Sequence, residues 1–296
     1  MRIVVTGATG FLGQPVLQTL RSMGHEVVPL GRHDPVRCDL LDPQAVRRSI
    51  SDIRPEGLVH LAWFTEHGAY WNAPENLDWI TASLVLLEAF AAVGGKRALI
   101  AGSSAEYRWG GTEDLKEMQS PLEMTTLYSF SKNTLREILH RRSEVVEDLS
   151  LVWTRIFCPF GPGEEHRRLV PRTVHGLLAG KRLEFDSACS VRDFLHVSDV
   201  ASALCVVFQS QVSGPINIAS GVGTSVRDLV TMIASHLNAL DQIHFDEPTA
   251  EQKDVDRVVA CVSRLNQEVG WFPAETLNHR IREVCEFYGK LKKGFS

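Results

Sequence analysis

Residues 2–13 read RIVVTGATGFLG. The apolar, β-branched run Arg2–Val5 leads straight into glycines at 7, 10 and 13, and a helical pattern over Phe11–Met23 stops at Gly24. Each glycine has a mechanical reason to be there. The first permits a tight turn off the strand. The second lets backbone come close to a pyrophosphate, and the third lets the helix pack on the strand. The first turn of the helix then offers free N–H groups and the positive end of its dipole to phosphate. Strand, glycine turn and helix in this order predict a dinucleotide-binding unit, with Gly7, Thr9, Gly10, Phe11, Leu12 and Gly13 as its contacts.

The alternation continues. Strands are expected at Glu26–Leu30, Leu58–Ala62, Ala98–Gly102 and Leu151–Arg155, with helices between them at Gln44–Ile50, Leu77–Val93 and Thr126–Arg142. Strand and helix in turn mean an α/β fold, a doubly wound parallel sheet with helices on both faces. The second half is less regular, with helical patterns at Leu169–Ala179, Val200–Phe208 and Val226–Leu237. Pro and Gly cluster at Cys158–Gly163 and mark a boundary.

Bulk properties narrow the function. A chain of 296 residues exceeds what one core usually serves, so a large domain with a smaller lobe is expected. Net charge is −5, which argues against a nucleic-acid partner. Six cysteines (Cys38, Cys158, Cys189, Cys205, Cys261, Cys285) are scattered without a CxxC pair, the pattern of reduced thiols in a cytoplasmic protein rather than a disulfide frame or metal site. No apolar run of about 18 residues occurs, so no membrane span is expected. The N-terminus enters its strand without the long apolar stretch of a secretory leader.

The tip of the second strand selects the cofactor. An acid there would bond the ribose 2′-OH of NAD, whereas an Arg accommodates the 2′-phosphate of NADP. The strand ends Leu30-Gly31-Arg32, so NADP(H) is favoured and NAD(H) is the alternative.

Residues 128–132 read YSFSK, which puts Tyr128 and Lys132 one helical turn apart. Together with the glycine loop, this motif makes the chain resemble the extended short-chain dehydrogenase/reductases, NAD(P)-dependent nucleotide-sugar epimerases, dehydratases and 4-ketoreductases. Asp39-Leu40 resembles the family's adenine-contacting acid and leucine. His60-Leu61-Ala62-Trp63 resembles its HLAA stretch beside the cofactor, with Trp63 departing from the last alanine. Gly102-Ser103-Ser104-Ala105-Glu106-Tyr107 resembles the segment that carries the active-site hydroxyl. RDFLHVSDV, Arg192–Val200, resembles the segment by which the chain returns to the sheet, and Asn217–Gly221 the NxGxG stretch after it.

The resemblance implies a Rossmann-type domain over 1–158, rejoined around 193–219, and a substrate lobe from 159–192 and 220–296. It implies a catalytic set of Ser104, Tyr128 and Lys132, with Ser103 as second candidate for the hydroxyl. A free tyrosine has a pKa of about 10. A lysine ammonium one turn away favours tyrosinate and is expected to lower that value. Leu61, Ala62, Trp63, Gly102, Ser103, Pro159 and Phe160 would line the cofactor. Cys158 stands where many relatives carry a sugar-contacting asparagine. Arg192 matches the family's phosphate-contacting arginine, and Arg168 and Arg172, with Arg167, could serve the same anion. Glu106 is read as a substrate contact or as a structural carboxylate near the pocket rim, since Ala105 breaks the acid pair of the dehydratases. His60 and His196 fall in segments where histidine is structural, so no metal is expected. Trp63, Tyr70, Trp71 and Trp79 shape a pocket or pack the helix that follows, with Trp63 assigned to the pocket and Trp79 to the helix. The leading expectation is an NADP-dependent 4-ketoreductase of a nucleotide-linked deoxysugar. Behind it stand a 4-epimerase with tightly held NAD, a 4,6-dehydratase, a reductase of non-nucleotide carbonyls and a non-catalytic redox sensor. Leu77–Val93 and Thr126–Arg142 are where the family pairs into homodimers.

Overall fold

The computed structural model describes residues 1–143, 149–186, 188–246 and 256–294. The chain begins with β1 (Arg2–Thr6), α1 (Gly13–Ser22), β2 (Glu26–Gly31), β3 (Val36–Arg37), α2 (Pro43–Ile53), β4 (Gly57–His60), α3 (Glu75–Ala92) and β5 (Arg97–Ser103). It continues through α4 (Leu127–Ser143), β6 (Ser150–Ile156), β7 (Pro159–Phe160), α5 (Leu169–Leu178), β8 (Leu183–Phe185), β9 (Val191–Asp193) and β10 (Leu195–His196). Then come α6 (Val197–Gln209), β11 (Gly214–Ile218), β12 (Gly223–Ser225), α7 (Val226–His236), β13 (Ile243–Phe245), β14 (Arg257–Val258), α8 (Ser263–Gln267) and α9 (Leu277–Gly294).

The main sheet has seven strands in the order β11-β6-β5-β4-β1-β2-β3, every pair parallel. It is the doubly wound α/β sheet expected from the sequence. Strands buried on both faces must be apolar throughout, and Ile3, Val4 and Val5 of β1 are fully buried, as are Ala98 and Leu99 of β5. One apolar cluster joins α1 and α6 to one face of the sheet. A second joins α2, α3 and α4 to the other. A third, built by α5, α7 and α9 with Phe160 and Phe194, lies apart from both.

The helix after the glycine loop starts at Gly13, two residues later than its pattern suggested, because Leu12 serves as the cap. Pro15 sits in the first turn, where a missing N–H costs nothing. The α2 helix is capped by the Asp42 carboxylate, which accepts from the Gln44 and Ala45 N–H groups. Besides the short strands of the second half and α8, two further elements were not expected from the sequence. The short β3 adds an edge strand through Leu30↔Val36 and Gly31↔Arg37. The α9 helix buries Ile281, Val284, Cys285 and Tyr288, one face of a 3.6-residue period hidden in a charged segment.

The sheet order reverses between β1 and β4, and open α/β sheets bind ligands outside the strand ends at such a point. Arg97 braces this half of the molecule. Buried at the foot of β5, it donates to the carbonyls of Val207, Phe208 and Val212 and to the Ser150 hydroxyl. It thereby satisfies carbonyls at the end of α6 that the helix itself leaves open.

Candidate active site

A cavity of about 400 Å³ opens at the carboxyl ends of β1, β4, β5 and β6. Its walls include Gly7, Gly10 and Gly13 after β1, Leu61–Trp63 after β4, Gly102–Ala105 at the end of β5, and Cys158 and Pro159 after β6. Tyr128 and Lys132 enter from α4, and Glu164, Arg168 and Arg192 close the far side.

The glycine turn fits a dinucleotide pyrophosphate. Gly7 has φ +69°, and a Cβ there would meet the Ala62 backbone nitrogen at 2.7 Å. At Gly13 a Cβ would lie 2.1 Å from the Gly7 carbonyl oxygen, and at Gly10 3.2 Å from the same atom. The Gly7 carbonyl instead accepts from the Gly10 N–H at 3.0 Å, which holds the turn closed in front of α1. Phe11 and Leu12 line the cavity beside it.

Several expected contacts lie elsewhere. Thr9 is exposed outside the cavity. Arg32 pairs with Asp39 at 3.0 Å on the surface beyond β2, and both stay about half exposed. Leu40 turns into the core with Cys38 and Val46. Phe160 does not form a cavity wall. Neighbouring residues of a strand point to opposite faces, so Pro159 faces the cavity while Phe160 packs into the third cluster against Phe194. Arg172 is exposed on α5, its guanidinium 5.8 Å from the Phe185 ring, and Arg167 is held by Glu165 at 2.9 Å. Of the three arginines after the GPG loop, Arg168 alone lines the cavity. Arg192 lines it too, with its guanidinium 5.4 Å from the Trp109 ring and ion-paired to Asp256. Asp193 is engaged by the Ser220, Gly221 and Ala260 N–H groups.

Glu106 is not at the rim. It is wholly buried, and its carboxylate accepts from the Ser103 N–H at 2.7 Å, from Trp153 Nε1 at 2.9 Å and from Arg155 Nε at 2.8 Å. No oxygen is left to meet a substrate, so its reading as a substrate contact is corrected to the structural one. This carboxylate fixes the backbone of Ser103. Ser103 and Ser104 both line the cavity, and of the two it is the Ser103 hydroxyl that acts on the Tyr128 phenol, while Ser104 begins a 3₁₀ turn.

Tyr128 sits in an aromatic setting. Tyr70 meets its ring edge-on with centroids 5.0 Å apart, and Trp71 does so at 6.0 Å. Trp109 in turn meets Trp71 edge-on at 6.2 Å. The loop before α3 is tied to the start of α4: the Tyr128 N–H donates to the Trp71 carbonyl at 2.9 Å and the Leu127 N–H to Asn72 Oδ1 at 3.1 Å. Trp79 lies in α3 and packs on Trp63 at 6.2 Å. Trp109 and Glu164 were not assigned to the site from sequence, and Tyr70 and Trp71 were left between shaping a pocket and packing a helix, because loops carry no period that tells which way their side chains point; all four line the cavity.

Burial sets the charges. It pushes the Tyr128 phenol well above its ordinary value, with the Ser103 hydrogen bond opposing. This reverses the direction expected from the neighbouring lysine. The Lys132 ammonium is turned to the Ala101 carbonyl at 2.8 Å and lies 6.0 Å from the phenol ring centroid. Burial also pulls Lys132 down to about 7. His60 is buried neutral, pulled down to about 3 by burial, and bridges Thr6 Oγ1 at 2.6 Å to Ser83 Oγ at 2.9 Å. Burial pushes the Cys158 thiol up to about 11, so it faces the cavity as a neutral thiol.

Glu164 is the unexpected acid of the site. Burial pushes it up to about 8, against the opposing charge of Arg168. The folded chain therefore keeps a proton that the unfolded chain releases near 4.5. Stability should fall as pH rises from about 4.5 to about 8 and level off above. Glu164→Gln removes this loss: its thermal midpoint should exceed the wild type's by about 3 °C or more at pH 9 and match it at pH 4.5. Equal offsets at both pH values would show that Glu164 ionises in the folded chain as it does in the unfolded one.

A sequence profile of the NAD dependent epimerase/dehydratase family matches residues 3–219. The chain is 24% identical to a UDP-glucose 4-epimerase of Neisseria meningitidis, over 99% of each chain. It is 28% identical to a GDP-6-deoxy-D-mannose reductase of Pseudomonas aeruginosa, over 96% of this chain and 95% of that one. Its fold superposes on the UDP-glucose 4-epimerase of Thermus thermophilus, solved in complex with NAD, with a TM-score of 0.84 at 23% identity, covering 98% of this chain and 99% of that one. Most of the chain matches the profile, so this protein belongs to the NAD dependent epimerase/dehydratase family.

Proposed function

We propose that this enzyme reduces the 4-keto group of a nucleotide-linked deoxysugar, with Tyr128 as proton donor and NADPH as reductant. One observation carries the reading: the glycine turn and the Ser103, Tyr128 and Lys132 side chains meet in a single cavity. The dinucleotide, when bound, supplies the hydride. The chain's own residues do the rest. A carbonyl oxygen that accepts from both Ser103 and Tyr128 is polarised and oriented, and a phenol held protonated by burial is in the state a proton donor needs. Lys132 makes the phenolate left behind less costly. Ser103 rather than Ser104 is assigned the hydroxyl role, because its side chain is the one that opposes the rise of the phenol's pKa.

Arg168 and Arg192 line the cavity and serve the substrate's phosphates. Arg192 does so by exchanging the Asp256 carboxylate for phosphate oxygens. At the tip of β2, Arg32 meets a 2′-phosphate with only half-exposed Asp39 as competitor, a surface pair worth about 0–1 kcal/mol. That supports NADP(H) over NAD(H). The aromatic surroundings of Tyr128 favour a reductase over an epimerase. An epimerase must turn its keto intermediate over, and Tyr70, Trp71 and Trp109 crowd the space beside the phenol. The relative named GDP-6-deoxy-D-mannose reductase fits the same direction. The same reading assigns 1–158 and 193–219 to dinucleotide binding and 159–192 and 220–296 to a substrate lobe.

Steady-state oxidation of NADPH with a panel of 4-keto-6-deoxy nucleotide sugars tests the reading. Tyr128→Phe should lower kcat by about 10³-fold, Ser103→Ala by about 10²-fold and Ser104→Ala by less than about 10-fold. Interconversion of 4-epimers without added NADPH would support the epimerase instead.

The same reading includes a homodimer built on α3 and α4, which expose Leu77, Phe130 and Ile138. Light scattering at micromolar concentration should give about twice the 33.0 kDa chain mass. A monomeric mass would remove the dimer.

A further inference from the structure

Trp63 stands where the resemblance leads one to expect a small alanine, and the structure gives its ring a specific neighbour. The Lys132 ammonium lies 3.7 Å from the indole centroid. The indole is anchored from its far side: Nε1 donates to Asn76 Oδ1 at 2.8 Å. Asn76 is fully buried at the start of α3, and its Nδ2 donates at 2.8 Å to the carbonyls of both Tyr70 and Ala73. One amide thus holds the indole over the lysine and the Tyr70–Ala73 loop against Tyr128.

Lys132 needs such a partner. It is buried, and among the described residues no carboxylate lies within ion-pair distance of Nζ. Tyr128 precedes it on α4, His60 faces it from β4 and is neutral, and the Ala101 carbonyl of β5 accepts from it. Trp153 of β6 has its ring centroid 6.0 Å away. Glu106, after β5, is the nearby acid; its charge raises the lysine's pKa from a distance, but its oxygens are in contact with Arg155 and not with Nζ. A buried ammonium with one carbonyl and no counter-ion is costly, and an aromatic face offsets part of that cost.

We propose that Trp63 is a positioning residue that acts through Lys132: its indole face holds the lysine in the charged form and aims it along the cavity wall, in place of a counter-ion. The proposal rests on Lys132 as the lysine that works with Tyr128, but it makes a claim about the lysine's charge that is measured without turnover.

The experiment is a ¹³Cε titration of Lys132 in lysine-labelled protein without cofactor, assigned by the resonance lost in Lys132→Arg. In Trp63→Leu the titration midpoint should fall by about one pH unit, equivalent to about 1.4 kcal/mol of lost cation–π stabilisation. In Trp63→Phe it should fall by roughly half as much, because phenyl is the weaker face. An unchanged or raised midpoint in both variants would overturn the proposal, since an indole that only excluded water would, on removal, let solvent stabilise the ammonium. If Trp63→Leu fails to fold, Trp63→Phe alone decides between a lowered and an unchanged midpoint. A lowered midpoint supports the proposal whether or not a 4-keto sugar is ever turned over. Where turnover is found, the basic limb of the kcat profile should move down by the same amount in Trp63→Leu, and Trp63→Phe should recover about half of that shift.

Discussion

The buried Glu106–Arg155 pair is the constraint on which the site depends. Both side chains have essentially no exposed surface, and removing ions from water costs several kcal/mol each. The cost is met by geometry. Arg155 also donates to the Glu117 carbonyl at 3.0 Å and lies 4.4 Å from the centroid of the Tyr107 ring. Tyr107 donates to Asn217 Oδ1 at 2.8 Å, and the Asn217 amide donates on to the carbonyls of Leu115 and Cys261. One charge pair therefore ties the end of β5 to β6, β11 and the loops that approach from the second half of the chain. Deleting either ion would strand the other, at about 3–5 kcal/mol.

The arrangement of side chains around the cavity follows from that network. The Ser103 N–H is pinned by Glu106, so the Ser103 hydroxyl is presented to Tyr128 from a rigid strand end. On the other side, the first turn of α4 is clamped by the Trp71 carbonyl and the Asn72 amide. Phenol and lysine ride on α4 and the serine on the end of β5, two elements each fixed by its own contacts, which is how a site keeps its orientation when side chains are few. The same enclosure raises the phenol's pKa and lowers the lysine's.

Much of the fold was legible because its signals are local. Arg2–Val5, the three glycines and the following helix place the first βα unit, and β-branched runs alternating with helical patterns place the sheet. What was missed has physical reasons. The α9 helix carries its apolar residues at 281, 284, 285 and 288, a readable spacing masked by the charges around it. The β3 strand is two residues long, too short for a period. In the site, YSFSK and the glycine loop gave Tyr128, Lys132 and the turn. Adjacent serines at a strand end could not be ranked, since the 3₁₀ turn that begins at Ser104 breaks the alternation that would have told one face from the other. Burial of Glu106 and the approach of Trp71 and Trp109 depend on contacts distant in sequence, which spacing does not encode.

A reductase and an epimerase on this scaffold differ most simply in what they keep. The direct measurement is to denature the purified enzyme and identify the released nucleotide by liquid chromatography and mass spectrometry. A site that is empty, or that yields substoichiometric NADP(H), is the result predicted for an enzyme that exchanges its reductant at each turnover. Stoichiometric NAD would contradict both the Arg32 argument and the reductase, and would point to a cofactor recycled within the site.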